Sequence, residues 1–225
     1  MKNILIYTFL LIAITTTAFA QKDAQAKAIL DPLSQKYKAY TAIKSDFTFT
    51  LDDAQENMKA TQNGSLIVQP KANKFRITLY AQNSAKHDVE QEIISDGKSQ
   101  WTYNKKDKEV QQNNADHNSD GFNPAQIFTV YEHGYKYLYT GDQKIGGKVY
   151  QVIDLSPEND KNLYFKIRLM IDKVKKQIYS TLIFDKNGSK YNYVFKTFVT
   201  NPPVTDDTFT FDPKTHPGVE VVDLR

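Results

Sequence analysis

The sequence lacks cysteine altogether, and it has one tryptophan, four histidines and a formal net charge of only +3 over 225 residues. Without cysteine, no disulfide holds the fold together, and no residue is present to carry a lipid anchor. The lysines are scattered among Asp and Glu, so the basic stripe that a nucleic-acid-binding protein needs is missing. We therefore expect a protein that binds no nucleic acid.

Catalytic and metal-binding patterns are also missing. No two of the four histidines (His87, His117, His133 and His216) have the spacing of metal ligands. Neither a G-x-S-x-G elbow nor a glycine-rich phosphate loop occurs, and acidic pairs such as Asp52-Asp53 fall beside turns. The sequence favours a non-enzymatic protein without metal or cofactor.

Long hydrophobic runs are absent except at the N-terminus. Lys2 precedes an apolar run from Ile4 to Ile14, which is too short for a membrane-spanning helix of roughly 20 residues. The run is followed by Ala18-Phe19-Ala20, the small-x-small pattern that signal peptidase cleaves. We predict a signal peptide over residues 1–20, and a single exported, unanchored domain over residues 21–225.

Aromatic residues, by contrast, are abundant: 14 Tyr and 13 Phe. From Lys22 to Tyr40 the apolar residues recur at helical spacing and form one face, with Pro32 inside the segment. After Tyr40 the period changes to two, which is typical of strands with one apolar face. The rows that share a face include Phe47, Phe49, Leu51; Phe75, Ile77, Leu79; Phe165, Ile167, Leu169, Ile171; Ile178, Leu182, Phe184; and Tyr191, Tyr193, Phe195.

Glycine-containing pairs between these runs predict tight hairpin turns. They are Asn63-Gly64, Asp96-Gly97, Gly146-Gly147 and Asn187-Gly188. The spacing predicts about 10–11 strands in an antiparallel sheet that is closed or nearly closed into a barrel. A second short helix is predicted from an Asn123 N-cap and Pro124, with Ile127, Phe128 and Tyr131 on one face.

Three segments resemble the periplasmic outer-membrane lipoprotein carrier (LolA) family. Ile94–Asn104 resembles its "SDGK-x-x-W-x-Y" hairpin, and Gly64–Arg76 its "G-x-L…P…F-R" strand pair. Phe209-Thr210-Phe211, followed by Pro217–Asp223, resembles the closing "F-x-F…P-x-G-V-x-V-x-D". The resemblance extends from about Ile29 to the C-terminus.

This resemblance implies an incomplete antiparallel β-barrel with helices over its mouth, whose cavity receives the lipid anchor of a lipoprotein. An inner-membrane ATP-driven complex loads such a carrier, which passes its cargo to an outer-membrane receptor. One position departs from the family: the arginine that helps hold the lid shut is replaced here by Gln69, before Pro70. Lys71 and Arg76 are the candidate substitutes for lid control.

The predicted acyl-chain-binding cavity consists of inward-facing apolar residues. The second predicted helix forms the predicted lid. The cavity residues are Phe47, Phe49, Phe75, Ile77, Trp101, Leu169 and Phe195, and the lid residues are Ile127, Phe128 and Tyr131. Core packing explains any one of them equally well, because cores and lipid cavities use the same residue types. Two other functions stay open on the same monomeric barrel: a periplasmic lipid or lipoprotein sensor, and a binding protein for a small hydrophobic ligand.

Overall fold

The computed structural model describes residues 23–82, 87–115, 130–132 and 134–225. The predicted signal peptide, the start of the second helix at Asn123, and the lid residues Ile127 and Phe128 lie outside these ranges. Within them, no helix has the length and apolar character needed to cross a membrane.

The N-terminal helix forms where the periodicity predicts it. Helix α1 spans Ala24–Ala39 and continues through Pro32. Asp23 caps it, because its side-chain carboxylate accepts hydrogen bonds from the N–H groups of Gln25 and Ala26. The helix buries the predicted apolar face, including Leu30, Leu33 and Tyr37.

All strands of the described residues belong to one 13-stranded sheet. They are β1 (Ile43–Asp53), β2 (Met58–Gln69), β3 (Lys74–Tyr80), β4 (Val89–Ser95), β5 (Ser99–Asn104), β6 (Glu109–Asn114), β7 (Tyr135–Ile145), β8 (Lys148–Pro157), β9 (Tyr164–Asp172), β10 (Gln177–Asp185), β11 (Lys190–Phe195), β12 (Val199–Thr200) and β13 (Glu220–Asp223). Eleven strands have six or more residues, which agrees with the predicted number. The short β12 and β13 were not predicted.

The sheet is open, as expected for an incomplete barrel. Its order is β13-β6-β5-β4-β3-β2-β1-β11-β10-β9-β8-β7, with β12 paired beside β1. Strands β7 and β13 form the two edges, and every pairing is antiparallel except that of β13 with β6. Strand β1 therefore lies between two halves of the sheet, because it pairs with both β2 and β11. Strands β2 to β6 follow it in chain order on one side, and strands β11 to β7 lie in reverse chain order on the other.

The predicted turn at Asn63-Gly64 is wrong, since Gly64 lies in the middle of β2. A Cβ atom at this glycine would lie 2.6 Å from Cζ of Phe47 and 2.6 Å from the carbonyl oxygen of Thr78. The glycine is there to make room for the phenyl ring on the neighbouring strand. The other three glycine pairs lie in turns.

A bulge in β10 corrects one of the predicted rows. The register against β9 shifts between Ile178 and Ser180. Beyond such a shift the alternate residues exchange faces. As a result Thr181 and Ile183 join Ile178 on the buried face, and Leu182 and Phe184 lie on the other.

Two hydrophobic clusters lie on opposite faces of the sheet. The main cluster joins α1 to the face that we call the inner face, and includes Leu30, Phe47 and Leu169. The second cluster consists of Ile94, Tyr103, Val110 and Phe211, with Trp101 and Val219 packed against it. It lies on the opposite face, which we call the outer face, because successive residues of a strand point to opposite faces of the sheet.

Helix α1 is fastened to the exposed edge of the sheet through its capping residue. The second carboxylate oxygen of Asp23 accepts a hydrogen bond from the backbone N–H of Tyr139 in β7, at 2.8 Å. This bond satisfies one donor of a strand that, among the described residues, has no neighbouring strand on that side. The same bond is the main reason that the pKa of Asp23 lies below its ordinary value of 3.8.

We expect the charge of Asp23 to stabilise the protein only above the pH at which the carboxyl is protonated. A lowered folded-state pKa gives stability that is present above the unfolded value of 3.8 and is lost as the pH falls through the folded value. Asp23→Asn keeps an oxygen acceptor but removes the charge, so its melting temperature should be below that of the parent at neutral pH. The difference should vanish in acid, whereas Asp107→Asn, in an exposed turn, serves as control. A difference that is constant with pH would contradict this role.

Candidate functional site

The inner face of the sheet carries most of the residues that were predicted to bind acyl chains. Phe47, Phe75, Ile77 and Leu169 are 1%, 3%, 4% and 1% exposed, and all four belong to the main cluster with Phe195. At this exposure they form a sealed apolar core under α1. Phe49 also packs against the cluster but is only partly buried.

Phe49 forms part of an aromatic trio with Tyr191 and Tyr193. The register of β1 with β11 places Phe49 opposite Tyr193 and Leu51 opposite Tyr191. The ring of Phe49 lies 5.0 Å from that of Tyr193 and stacks on that of Tyr191 at 6.4 Å. All three rings are partly buried and border the main cluster. Burial raises the pKa of Tyr193 to about 12, so its hydroxyl is neutral at physiological pH.

A pair of tyrosines lies on the same face near the ends of β7 and β9. The hydroxyl oxygens of Tyr135 and Tyr164 are 2.5 Å apart, and both residues are buried. Burial is also the main cause that raises the pKa of each phenol. The contact lets two polar tips lie inside an apolar face, because each hydroxyl meets a hydrogen-bonding partner there.

Tyr131, the one described member of the predicted lid, lies against α1. It is 5% exposed, its hydroxyl donates to the carbonyl of Leu30 at 2.7 Å, and its ring meets that of Tyr137 edge-on. The adjacent Glu132 accepts a hydrogen bond from Ser34 and pairs with Lys38 at 2.6 Å. Tyr131 and Glu132 thus hold α1 through polar contacts along one stretch of the helix.

The three candidate lid-control residues do not lie together. Gln69 ends β2, and Lys71 is exposed in the 3-10 turn Pro70–Ala72, which neighbours α1. Arg76 lies on the outer face, where it donates to the carbonyl of Thr208 at 3.3 Å and pairs with Glu92 at 3.2 Å. It fastens the C-terminal segment to the sheet and points away from the inner face.

Trp101 also departs from the predicted cavity. It pairs with Ile94 across β4 and β5, and both residues belong to the second cluster on the outer face. The alternation along β5 therefore places Thr102 inward, between Ile93 and Gln111. On β5 and β6 the inner face is polar, with Gln100, Thr102, Gln111 and Asn113, so the apolar part of that face ends at β4.

Tyr191 and Tyr193 were not among the predicted site residues, although their row was identified from the sequence. Alternation places them on one face with Phe195, but only the pairing of β11 with β1 brings them to Phe49. Their partial exposure distinguishes them from the sealed residues beside them, and a strand pattern carries no signal for that difference.

The family model for the outer membrane lipoprotein carrier protein LolA matches residues 38–212, most of the chain and nearly all of its sheet. This chain belongs to the LolA family. The family consists of carriers and not of enzymes, which confirms the non-enzymatic interpretation.

Individual relatives agree with this membership over most or all of the chain. The chain is 27% identical to an outer-membrane lipoprotein carrier protein of Pasteurella multocida, over 100% of this chain and 99% of the relative. It is 30% identical to one of Histophilus somni, over 87% and 88% of the two chains. A crystal structure of an uncharacterized conserved protein from Thermus thermophilus shares the fold, with a TM-score of 0.56 at 12% identity, over 88% of this chain and 99% of that one.

Proposed function

We propose that this LolA-family member binds the acyl chains of lipoproteins on its inner face. The observation that supports the proposal best is the aromatic trio, which leaves apolar surface partly exposed beside a sealed apolar core. The sheet is open between its edge strands β7 and β13, so its inner face is not enclosed by a continuous ring of strands. The polar inner faces of β5 and β6 limit the apolar surface on one side.

A chain that goes beyond the trio has to displace α1. The helix is held by apolar packing and by a few polar contacts, including those of Asp23 with Tyr139 and of Tyr131 with Leu30. Burial of acyl chain is worth about 0.8 kcal/mol per methylene. Complete burial of two or three chains would exceed the range of reversible affinity. The displacement of α1 offsets part of that free energy and keeps binding reversible.

The names of the relatives support a role of this binding in lipoprotein transport. Both curated relatives are outer-membrane lipoprotein carrier proteins. We infer that the chain is exported to the periplasm by its N-terminal 20 residues and acts there as a monomer. It would receive lipoproteins from an inner-membrane ATP-driven complex and deliver them to a receptor or acceptor at the outer membrane.

The proposed lid and its control involve fewer residues than the sequence predicted. Tyr131 contacts α1 and is the described part of this lid, and the roles of Ile127 and Phe128 stay predictions. Gln69 and Lys71 remain candidates for lid control, because the turn beside them neighbours α1. Arg76 does not, since its guanidinium is bonded on the outer face.

Truncation of the trio tests the binding site. Phe49→Ala and Tyr193→Ala should each weaken binding of a fluorescent fatty-acyl probe about tenfold, the effect of losing about 1.4 kcal/mol of ring contact. Phe165→Ala removes a ring that is 50% exposed outside the main cluster, and should leave the affinity unchanged. Equal affinities for all of these proteins would contradict acyl binding at the trio.

The cargo is tested separately, by mass spectrometry of the protein purified from its own periplasm. Co-purified lipoproteins would support the carrier. A defined small ligand would instead support the alternative of a small-molecule-binding barrel.

A further inference from the structure

Two neighbouring turns at one end of the sheet are rich in exposed lysines. One connects β7 to β8 through Gly146-Gly147, and the other connects β9 to β10 through residues 173–176. The backbone N–H of Lys173 donates to the carbonyl of Val149 at 3.0 Å, so the two turns are held side by side. We define the basic end as residues 144–148 and 173–176, together with Lys36 of α1.

Positive charge dominates the basic end. The turns contribute Lys144, Lys148, Lys173, Lys175 and Lys176, all exposed. Lys36 is held there because its ammonium group donates to the carbonyls of Lys175 and Lys176, at 3.1 and 3.2 Å.

Two carboxylates adjoin these lysines, and both have local partners. Asp142 pairs with Lys173 at 2.7 Å. Asp172 accepts hydrogen bonds from the N–H groups of Val174 and Lys175, which fixes the shape of the turn. Six lysines and two carboxylates leave a surplus of four positive charges at this end.

Apolar side chains project among these lysines. Val174, at the tip of the second turn, is 87% exposed, and Ile145 in the adjacent turn is 38% exposed. A branched apolar side chain at a projecting tip is in contact with water and contributes nothing to the core. Its exposure is explained if the tip enters another apolar medium.

We propose that the basic end docks the protein on an anionic lipid bilayer, with Val174 and Ile145 entering the interfacial region among the headgroups. Lysines near an anionic membrane surface each add to binding, and apolar side chains at the interface add to it further. A protein partner fits less well, because protein interfaces are depleted in lysine and enriched in arginine and aromatic residues. The residues of the basic end include neither arginine nor an aromatic residue.

Docking in this way leaves the proposed acyl-binding surface uncovered. Tyr193 pairs with Thr181 in the middle of β10, and Tyr191 pairs with Ile183, nearer the end of β10 that is away from the basic turn. The docking proposal does not depend on acyl binding by the trio, and the two are tested by separate measurements.

Vesicle co-sedimentation tests the proposal with the full-length mature protein. The protein should bind vesicles of phosphatidylcholine mixed with phosphatidylglycerol, not vesicles of phosphatidylcholine alone, and binding should weaken as salt is added. Lys175→Glu combined with Lys176→Glu should weaken binding by at least about 25-fold, since each lysine contributes about fivefold. The control is Lys105→Glu combined with Lys106→Glu. It changes the net charge equally in the turn between β5 and β6, and should reduce binding much less.

Val174→Ser distinguishes a bilayer from an acidic protein, because it removes the apolar side chain without changing the charge. It should weaken vesicle binding severalfold while leaving binding of soluble polyglutamate little changed. Vesicle binding that Val174→Ser does not alter, or that both lysine pairs reduce equally, would overturn the proposal, as would failure of the parent protein to bind anionic vesicles at low salt. Acyl-probe affinity should be the same for all of these variants, so failure of docking is distinguishable from failure of the proposed function.

Discussion

Phe47→Ala is expected to lower the free energy of unfolding by about 3–5 kcal/mol, the usual cost of removing a fully buried phenyl ring. Phe47 is 1% exposed and lies where β1 meets both β2 and β11. Its ring fills the space over Gly64 and contacts the ring of Tyr193 at 5.6 Å. The glycine has no side chain with which to fill the resulting cavity, so the site collapses poorly.

Urea denaturation measures this loss, and two further variants identify its cause. Phe165→Ala removes an equal ring that is 50% exposed, and should change stability by no more than about 0.5 kcal/mol. Gly64→Ala should be destabilising by itself, because its Cβ would meet the Phe47 ring, and less so in the Phe47→Ala background. Additive effects of the two substitutions would show that the ring and the glycine are not coupled.

Phe209→Ala is expected to release the C-terminal segment from the outer face. Phe209 is 0% exposed, in the 3-10 turn Asp206–Phe209 that neighbours β3. The carbonyl of the preceding Thr208 is the acceptor for Arg76. The buried ring is worth about 3–5 kcal/mol. Because it lies near the chain end, we expect part of this loss to appear as local opening of β13 and the segment before it.

Hydrogen exchange resolves the local from the global effect. The N–H groups of Glu220 and Leu224 donate to the carbonyls of Lys108 and Gln112, both at 2.8 Å. In Phe209→Ala these two amides should exchange faster than the amides of β9 and β10. The control Leu224→Ala truncates a side chain that is 56% exposed in the same segment, and should change neither stability nor exchange appreciably. Uniform acceleration over the whole sheet would indicate global destabilisation alone.

The role of Phe209 gives a physical reason for the closing F-x-F pattern. Phe209 is buried beside β3, and Phe211 joins Ile94 and Tyr103 in the second cluster. The ring of His216 stacks on that of Phe211 at 4.5 Å. The two phenylalanine rings of the pattern therefore cover apolar side chains on the outer face of β3 to β6. Its function is structural, and the acyl-binding proposal does not involve it.

Local patterns were sufficient for helix α1 and the long strands of this fold. Helical periodicity identified the buried face of α1, and alternation identified the long strands, because each pattern reflects which side chains point toward the core. The same patterns failed where a local signal had a long-range cause. Gly64 has the appearance of a turn residue, but it is glycine because Phe47, a distant residue in sequence, occupies its side-chain space.

Tertiary structure alone decided which apolar rows face the same side of the sheet. Trp101 and Arg76 follow the alternation of their own strands, but they lie on the outer face beneath the C-terminal segment. Tyr191 and Tyr193 lie beside Phe49 only because β11 pairs with β1, although the strands β2 to β10 separate the two along the chain. A sequence determines which residues of a strand share a face, since that depends on the backbone pleat. Which face becomes the inner one depends on strand order and on where α1 packs, and neither is encoded in any single segment.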